Sequence, residues 1–524
     1  MVPYLQLLFG AINLAAVYAL FKSFIFNMHM YQLNSYRWDK HSRWLKKNAG
    51  RYLIEIIVFA LSFTGFIEND ALMGFAAGAL LIGIIALMPE NRQRPQKKPL
   101  VFTARVKRMT ATVMILFALT YAGAIACLAS EKKHLAFLVM GLLCSLAPLY
   151  IPAANLINVP VEKLVQKHYR DEAEKILAES RFLDITGITG SYGKTSVKFY
   201  LYTILRSWTD TLVTPASVNT PMGIVRLVRE ELKASHKIFI CEMGADHLHD
   251  IKEICDIVHP RNGIITALGD QHLETFKTRE NIIKTKYELA DALPADGRLY
   301  VNWDNEIIRE NPPKRPYIRY GLTEDCDYYA YNINVSPQGT TFTVRGPEEE
   351  GEFETKLLGR HSAINITGAI AAANGYGMSF ADIKKQVRKI EAVPHRMQIV
   401  NKGGITIIDD AFNSNPAGCR AALTTLGDME GERILVTPGM VELGEKEAQL
   451  NSEFGAFAAS HCDRVFLIGE KQTAPIKKGL LEAGFPEASI SVYEQFTDAM
   501  KYIYAMPSAK KKIVLLENDL PDNY

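Results

Sequence analysis

The apolar residues of this 524-residue chain are unevenly spread, and that unevenness limits what it can fold into. Five apolar stretches, at about 3–21, 52–67, 71–88, 110–129 and 135–155, crowd the first 155 positions, and charged residues fill the remainder. A spanning helix needs roughly 20 apolar residues to cross a ~30 Å hydrocarbon core. The stretches therefore read as an α-helical transmembrane bundle over 1–155, the second and third helices forming a hairpin around Glu68-Asn69-Asp70. Five runs in so short a span argue against buried soluble helices, and no small-residue cleavage site follows the first.

Loop charge orients the bundle. Arg37, Lys40, Arg43, Lys46, Lys47 and Arg51 lie between the first two stretches, and residues 92–108 carry seven further cations. The 68–70 connection has no cation, and the 131–134 connection only Lys132 and Lys133. Basic loops stay in the cytoplasm. Five spans then put the N-terminus outside and everything after residue 155 inside, as a multi-pass protein of the cytoplasmic membrane. The segment 156–181 has helical periodicity and many charges, and reads as a linker helix. The net charge of +2 averages two dissimilar halves and does not point to nucleic acid. Seven cysteines without paired spacing indicate free thiols in a reducing compartment rather than disulfides or a zinc site.

After the linker the pattern changes. Residues 182–188 (FLDITGI) form a short apolar run suited to a buried strand, followed by Thr189-Gly190-Ser191-Tyr192-Gly193-Lys194-Thr195-Ser196 and the apolar-periodic VKFYLYTILRSW. Strand, glycine loop and helix is the setting a P-loop needs. Glycines let backbone N–H groups close around phosphate oxygens at a helix N-terminus that favours anions. Lys194 is then placed to reach the β and γ phosphates, and the Thr195 hydroxyl to ligate Mg²⁺. The first glycine falls at 187 or 190, so the spacing departs from the strict G-x-x-x-x-G-K-T form.

TGSYGKTS resembles the TGxxGKT/S loop of the Mur ligases, the peptidoglycan-precursor amide synthetases. Further matches follow in family order over 182–450, nearest to the branch that adds D-alanyl-D-alanine. The resemblance implies a P-loop central domain over 182–393 and a Rossmann-like C-terminal domain over 394–524. TPASVNTPMG (214–223) resembles a segment near the phosphates and acceptor, and KIFICEMGADH (237–247) the family's EMGA. A carboxylate ending a buried strand beside a P-loop suits a Mg²⁺ ligand, here Glu242. In GIITALGDQHLETF (263–276), His272 aligns with a metal-ligating histidine. Lys286, in TKYE, matches a lysine that the family carbamylates, which turns a cation into a metal-ligating anion; Lys284 competes for that assignment. Asn302 and Asp304 resemble an N-x-D motif on the nucleotide side, and Gly359, His361 and Asn365 the G-x-H-N-x-x-N segment, with Ser362 where asparagine is usual. Arg396 lies in a domain-junction motif (PHRM), and Asp410 and Asn413 in DDAFNSNP, which resembles the DDxYNANP of the D-alanyl-D-alanine-adding branch.

The resemblance implies an ADP-forming, ATP-dependent amide ligase with two Mg²⁺ ions, acting through an acyl phosphate, with Lys194, His272 and Lys286 in catalysis. The nucleotide-contacting set is Gly190, Ser191, Gly193, Lys194, Thr195, Ser196, Asn302, Asp304, His361, Asn365, Arg396, Asp410 and Asn413. Thr195 and Glu242 would hold one metal, and His272 and carbamylated Lys286 the other. Three departures cluster late: Gly439 for aspartate, Asn451 for histidine, and Glu517-Asn518-Asp519 for a K-G-S strand end. They fall where the family holds its incoming amine. The helical bundle stands where precursor ligases carry a sugar-nucleotide domain. The expected acceptor carboxylate is accordingly lipid-linked or membrane-proximal, the amine an amino acid or dipeptide, and the setting the bilayer, with homo-oligomers or cell-envelope enzymes as partners. A poly-γ-glutamate-synthase-like ligase and a P-loop-driven transport or scaffold subunit are the alternatives.

Overall fold

The computed structural model describes the chain except residues 1–20, 53–56, 58–98, 131–134, 136–137, 140–141, 143–145, 217, 271–272, 337–338, 394, 412–414, 442 and 520–524. Two compact units divide at Lys167/His168.

In the first unit, residues 21–33 are helical, and the basic segment after them folds as helix α1 (Trp38–Lys47) rather than an open loop. The apolar stretches 3–21, 52–67 and 71–88 lie outside the described residues, apart from Phe21, Tyr52 and Ile57. The fourth stretch is inside α2 (Ala104–Ala129), of which Ala104–Cys127 is long and apolar enough to cross a membrane. It is the single such helix among the described residues. Met114, Ile115 and Leu119 on α2 are exposed. Residues 147–155 of the fifth stretch and the charged linker form one continuous helix, α3 (Ala147–Glu179), so the expected break near 155 is absent. Pro152 and Pro160 lie inside it and each removes one backbone donor from the ladder. Arg108 grips Glu162 with two bonds of 2.7 and 2.9 Å, and Thr112 donates to Asn158, tying α2 to α3.

The second unit is built on two sheets. Strands β1 (Asp184–Thr189), β2 (Thr211–Val213), β3 (Ile238–Glu242), β4 (Asn262–Ile265), β5 (Leu299–Asn302), β6 (Ile318–Gly321), β7 (Tyr328–Ser336), β8 (Gly339–Arg345) and β9 (Glu350–Thr355) share one sheet in the order β2-β3-β1-β4-β5-β6-β7-β8-β9. Pairing is parallel from β2 to β7 and antiparallel from β7 to β9. The hairpins expected over 327–356 are those last three strands. The central strands are buried along their length, as expected of a parallel sheet covered on both faces. Helix α4 (Lys194–Leu205) covers one face. Its Val197, Leu201, Ile204 and Leu205 are fully buried, in one core with residues of β1, β3 and β4. Helices α5 (Pro221–Glu231), α6 (Asp250–Val258) and α7 (Arg279–Ala292) supply core residues on the opposite face. Helix α8 (Arg360–Gly375) packs beside α4, and its Gly368 admits the ring of Tyr320, from which a Cβ would stand 2.7 Å.

The second sheet runs β10-β11-β15-β12-β13-β14, from β10 (Gln398–Lys402), β11 (Ile405–Asp410), β12 (Glu432–Thr437), β13 (Arg464–Ile468), β14 (Ile490–Tyr493) and β15 (Lys512–Glu517). Only β10 is antiparallel to its neighbour. Helices α9 (Phe380–Val387), α10 (Pro416–Gly427), α11 (Glu447–Ala458), α12 (Glu470–Glu482) and α13 (Phe496–Ala505) complete the unit. The strand–helix alternation over 404–516 is the expected open α/β architecture, in which ligands gather outside the carboxyl ends of the strands.

Candidate active site

The strand order reverses around β1, and the glycine loop leaves its carboxyl end there. Gly190 and Gly193 take φ of +150° and +79°, values that side chains resist. A Cβ on Gly190 would also stand 2.9 Å from the Ala267 carbonyl oxygen, so both backbone conformation and space require glycine. The Ser191 hydroxyl is committed to the neighbouring strand end: it donates to the Gly269 carbonyl at 3.0 Å and accepts from the Gly269 N–H at 3.1 Å. Its role is to brace the loop. Ser196 is buried at the start of α4, one turn before Tyr200. Lys194 curls over the loop, its Nζ donating to the carbonyls of Gly190 (2.7 Å) and Ser191 (3.1 Å). Burial lowers its pKa to about 8, with Glu242 opposing. Asn365, from the first turns of α8, closes the far side: a Cβ on Gly193 would lie 3.1 Å from its Oδ1.

Glu242 ends β3, in register with Ile188 of β1. Its Oε1 accepts from the Thr195 hydroxyl at 3.2 Å and from Asn219 Nδ2 at 3.1 Å. Gly244 makes room for Asn219, which would otherwise meet a Cβ at 2.7 Å. The second oxygen, Oε2, lies 2.9 Å from Lys198 Nζ. A hydroxyl and a carboxylate converging beside a phosphate loop are the hard oxygen donors Mg²⁺ takes, so these residues fit the implied metal. Lys198, which the sequence reading passed over, is fully buried; its spacing of one turn after Lys194 was the available signal.

Lys286 projects from α7, buried, with its Nζ 3.5 Å from the Ala245 carbonyl. Lys284 is exposed, which separates the two competing lysines. Burial, and next the charge of Lys194, push Lys286 down to about 7. The carboxylates of Asp250 and Asp246 act against that shift. They belong to a cluster with His247 that the reading also missed, although it directly follows the EMG segment. Asp250 Oδ2 accepts the N–H groups of Asp246 (2.9 Å) and His247 (2.8 Å), and His247 Nδ1 lies 2.6 Å from Asp246 Oδ1. His272 lies outside the described residues.

The remaining expected nucleotide contacts divide into two sets. Asn302 Oδ1 accepts from the Asp304 N–H at 3.1 Å, and Asp304 tucks beside Gly321, where a Cβ would stand 2.8 Å from its Oδ2. Neighbouring Asn305 caps a short helix and joins Leu268 by two bonds, bracing the loop that carries Gly269. His361 opens α8, its pKa lowered by burial. Ser362 sends its hydroxyl back to the Leu358 carbonyl at 2.7 Å, so the departure there is used inside the helix. Arg396, by contrast, feels the charge of Asp410 and of Glu242, the carboxylate beside the P-loop. Burial raises Asp410 to about 6, against the attraction of Arg396. Arg396 in turn is acted on by Glu242 and opposes the charge on Lys194. Asn413 lies outside the described residues; Asn415 caps α10 by accepting from Gly418 N–H at 2.8 Å.

The late departures turn out to be one structure. Asn451 both accepts from and donates to the backbone of Met440, each at 2.9 Å, while Asn518 Nδ2 donates to the Gly439 carbonyl at 2.5 Å. Asn518 N–H also reaches the Asp410 carbonyl at 3.3 Å, and buried Glu517 accepts from Cys419 at 3.2 Å. Three positions far apart in sequence thus share the carboxyl ends of β11, β15 and β12.

Residues 188–373 match the Mur ligase middle domain, and residues 395–517 match the domain described as Mur ligase, glutamate ligase domain. Through these two domains the chain belongs to the Mur ligase family, and its α/β fold is the fold of that family. Mur ligase homologues are ADP-forming, ATP-dependent amide ligases, and the chain is a ligase of that class. It is 29% identical over 323 residues to the UDP-N-acetylmuramoyl-tripeptide–D-alanyl-D-alanine ligase of Bacillus subtilis strain 168, covering 61% of this chain and 69% of that one. The ligase of the same name from Escherichia coli strain K12 is 30% identical over 302 residues, with 55% and 65% covered. The chain thus spans about two thirds of the length of these curated relatives. MurF from Thermotoga maritima, solved in complex with ADP, superposes with a TM-score of 0.61 at 22% identity, over 68% of this chain and 80% of that one.

Proposed function

We propose that the chain is a MurF-like, membrane-anchored ligase of cell-envelope synthesis, joining an amino acid or dipeptide amine to a membrane-proximal carboxylate. The observation that carries it is the meeting of Lys194, Thr195, Glu242 and Asn365 around one glycine loop, with the charge of Arg396 felt by Lys194. A carboxylate resists attack by an amine because its leaving group is poor. In the proposed reaction a carboxylate oxygen takes the γ-phosphoryl group of ATP, giving an acyl phosphate and ADP. The amine nitrogen then bonds the carbonyl carbon, the C–O bond to phosphate breaks, the nitrogen loses a proton and phosphate departs. The protein's part is positioning and neutralisation of charge. Lys194 and the N–H groups at the start of α4 cradle the phosphates, and Arg396 brings a further cation from the C-terminal domain. Thr195 and Glu242 would hold Mg²⁺, which neutralises phosphate charge when bound. Lys286 supports the carbamate reading because a pKa near 7 leaves much of its amine neutral, the form that adds CO₂. With His272 it would hold a second ion.

An acceptor labelled with ¹⁸O in its carboxylate tests the chemistry: one label should appear in the released phosphate, and turnover should require both acceptor and amine. ATP hydrolysis independent of both would leave a transport or scaffold role instead. Anchoring rests on the apolar α2 and the loop-charge pattern.

A further inference from the structure

Glu242 has a charged neighbour besides the two donors at Oε1. On its other side stands Lys198, whose Nζ lies 2.9 Å from Oε2 and 2.6 Å from the Ala216 carbonyl, with its aliphatic chain sealed in the core. The side chains are 0% and 2% exposed, so neither charge is offset by water. Lys198 shares its helix with Lys194 and Thr195, and a spacing of four residues sets it on the same face as Lys194. Thr195 and Asn219 both hydrogen-bond Oε1, whereas buried Oε2 makes no hydrogen bond and has the Lys198 ammonium beside it as an ion pair. Thr214 accepts the Glu242 N–H at 3.0 Å and fixes the backbone beneath.

We propose that Lys198 is the positioning residue of the metal site: it retains Oε2 throughout, so that Glu242 offers Mg²⁺ one oxygen, Oε1, in a fixed orientation next to the Thr195 hydroxyl. One-oxygen ligation suits an ion that demands near-octahedral geometry and keeps several waters. Groups that orient a metal ligand from behind contribute strongly to affinity. A lysine retained there also lets a buried carboxylate stay in place before the ion arrives, because a lone buried charge is costly.

The proposal rests on Glu242 as a metal ligand, and the test separates the two. The full-length protein in detergent, with a non-hydrolysable ATP analogue, is titrated with Mn²⁺ and the free ion counted by EPR. Lys198→Met should weaken Mn²⁺ binding roughly 10- to 100-fold while leaving metal-free nucleotide affinity unchanged. Glu242→Gln should do at least as much, and the double variant should lose no more than Glu242→Gln alone. Wild-type-like Mn²⁺ affinity in Glu242→Gln removes the metal assignment and this proposal with it. Loss in Glu242→Gln but not in Lys198→Met overturns the positioning role alone. If Lys198→Met fails to fold, a structure of the wild-type protein with Mg²⁺ and ADP decides: Glu242 bound through one oxygen with Oε2 still on Lys198 supports the role, and two-oxygen ligation or a displaced Lys198 overturns it.

Discussion

At the scale of single residues the site sets several cations, two of them buried, near one buried carboxylate. Lys194 bonds loop carbonyls at 2.7 and 3.1 Å, contacts that it can exchange for phosphate oxygens. Replacing it with alanine is expected to cost about 3 kcal/mol or more in the chemical step, as loss of a transition-state charge partner does. Single-turnover measurement of ADP formation checks this, and near-normal turnover would remove the P-loop assignment. Lys286 gives a pH prediction. Its pKa is depressed to about 7, so the neutral amine that reacts with CO₂ prevails above that value and is lost as pH falls through it. Carbamate signal in ¹³C NMR with labelled bicarbonate should therefore rise as pH is raised through about 7. It should be absent in Lys286→Ala, whereas Lys284→Ala should retain it.

At the scale of elements, loops are held by side chains reaching between strand ends. The turn at Gly439 and Met440 depends on Asn451, which satisfies both the N–H and the carbonyl of Met440 in a buried setting. Asn451→Ala strands both groups and should destabilise the protein by about 1–3 kcal/mol, read from denaturant unfolding. Gly439 has φ +86°, and a Cβ there would lie 3.0 Å from Asn451 Oδ1. Gly439→Asp, the residue usual in the family, should therefore be poorly tolerated alone. The cost should shrink when Asn451→His accompanies it, because contacting residues do not add independently.

For the whole molecule, the expectation is a catalytic unit tethered to a bilayer. Exposed Met114, Ile115 and Leu119 along one helix suit lipid, and on the proposed function a membrane-proximal acceptor would gain effective concentration by confinement. The full chain should remain in the membrane pellet after alkaline carbonate extraction. Recovery in the supernatant would remove the anchor, and with it the lipid-linked acceptor.

Much of the site was legible in the sequence because P-loop chemistry is local: TGSYGKTS within eight residues supplies the turn, the helix start and the cation. The strand ending in Glu242 and the hairpins after residue 327 were readable for the same reason, since period and turn residues act over short range. What sequence left open was which side chains meet. Lys284 and Lys286 look alike in a string, and only the face of α7 buries one and exposes the other. Ser191 was expected as a phosphate contact, and only the fold shows Gly269 at its hydroxyl. Lys198 carried no motif, and Gly439, Asn451 and Asn518 were readable as departures on the amine side but not as residues that share hydrogen bonds. Their partnership depends on strands far apart in the chain lying side by side, and only folding sets that distance.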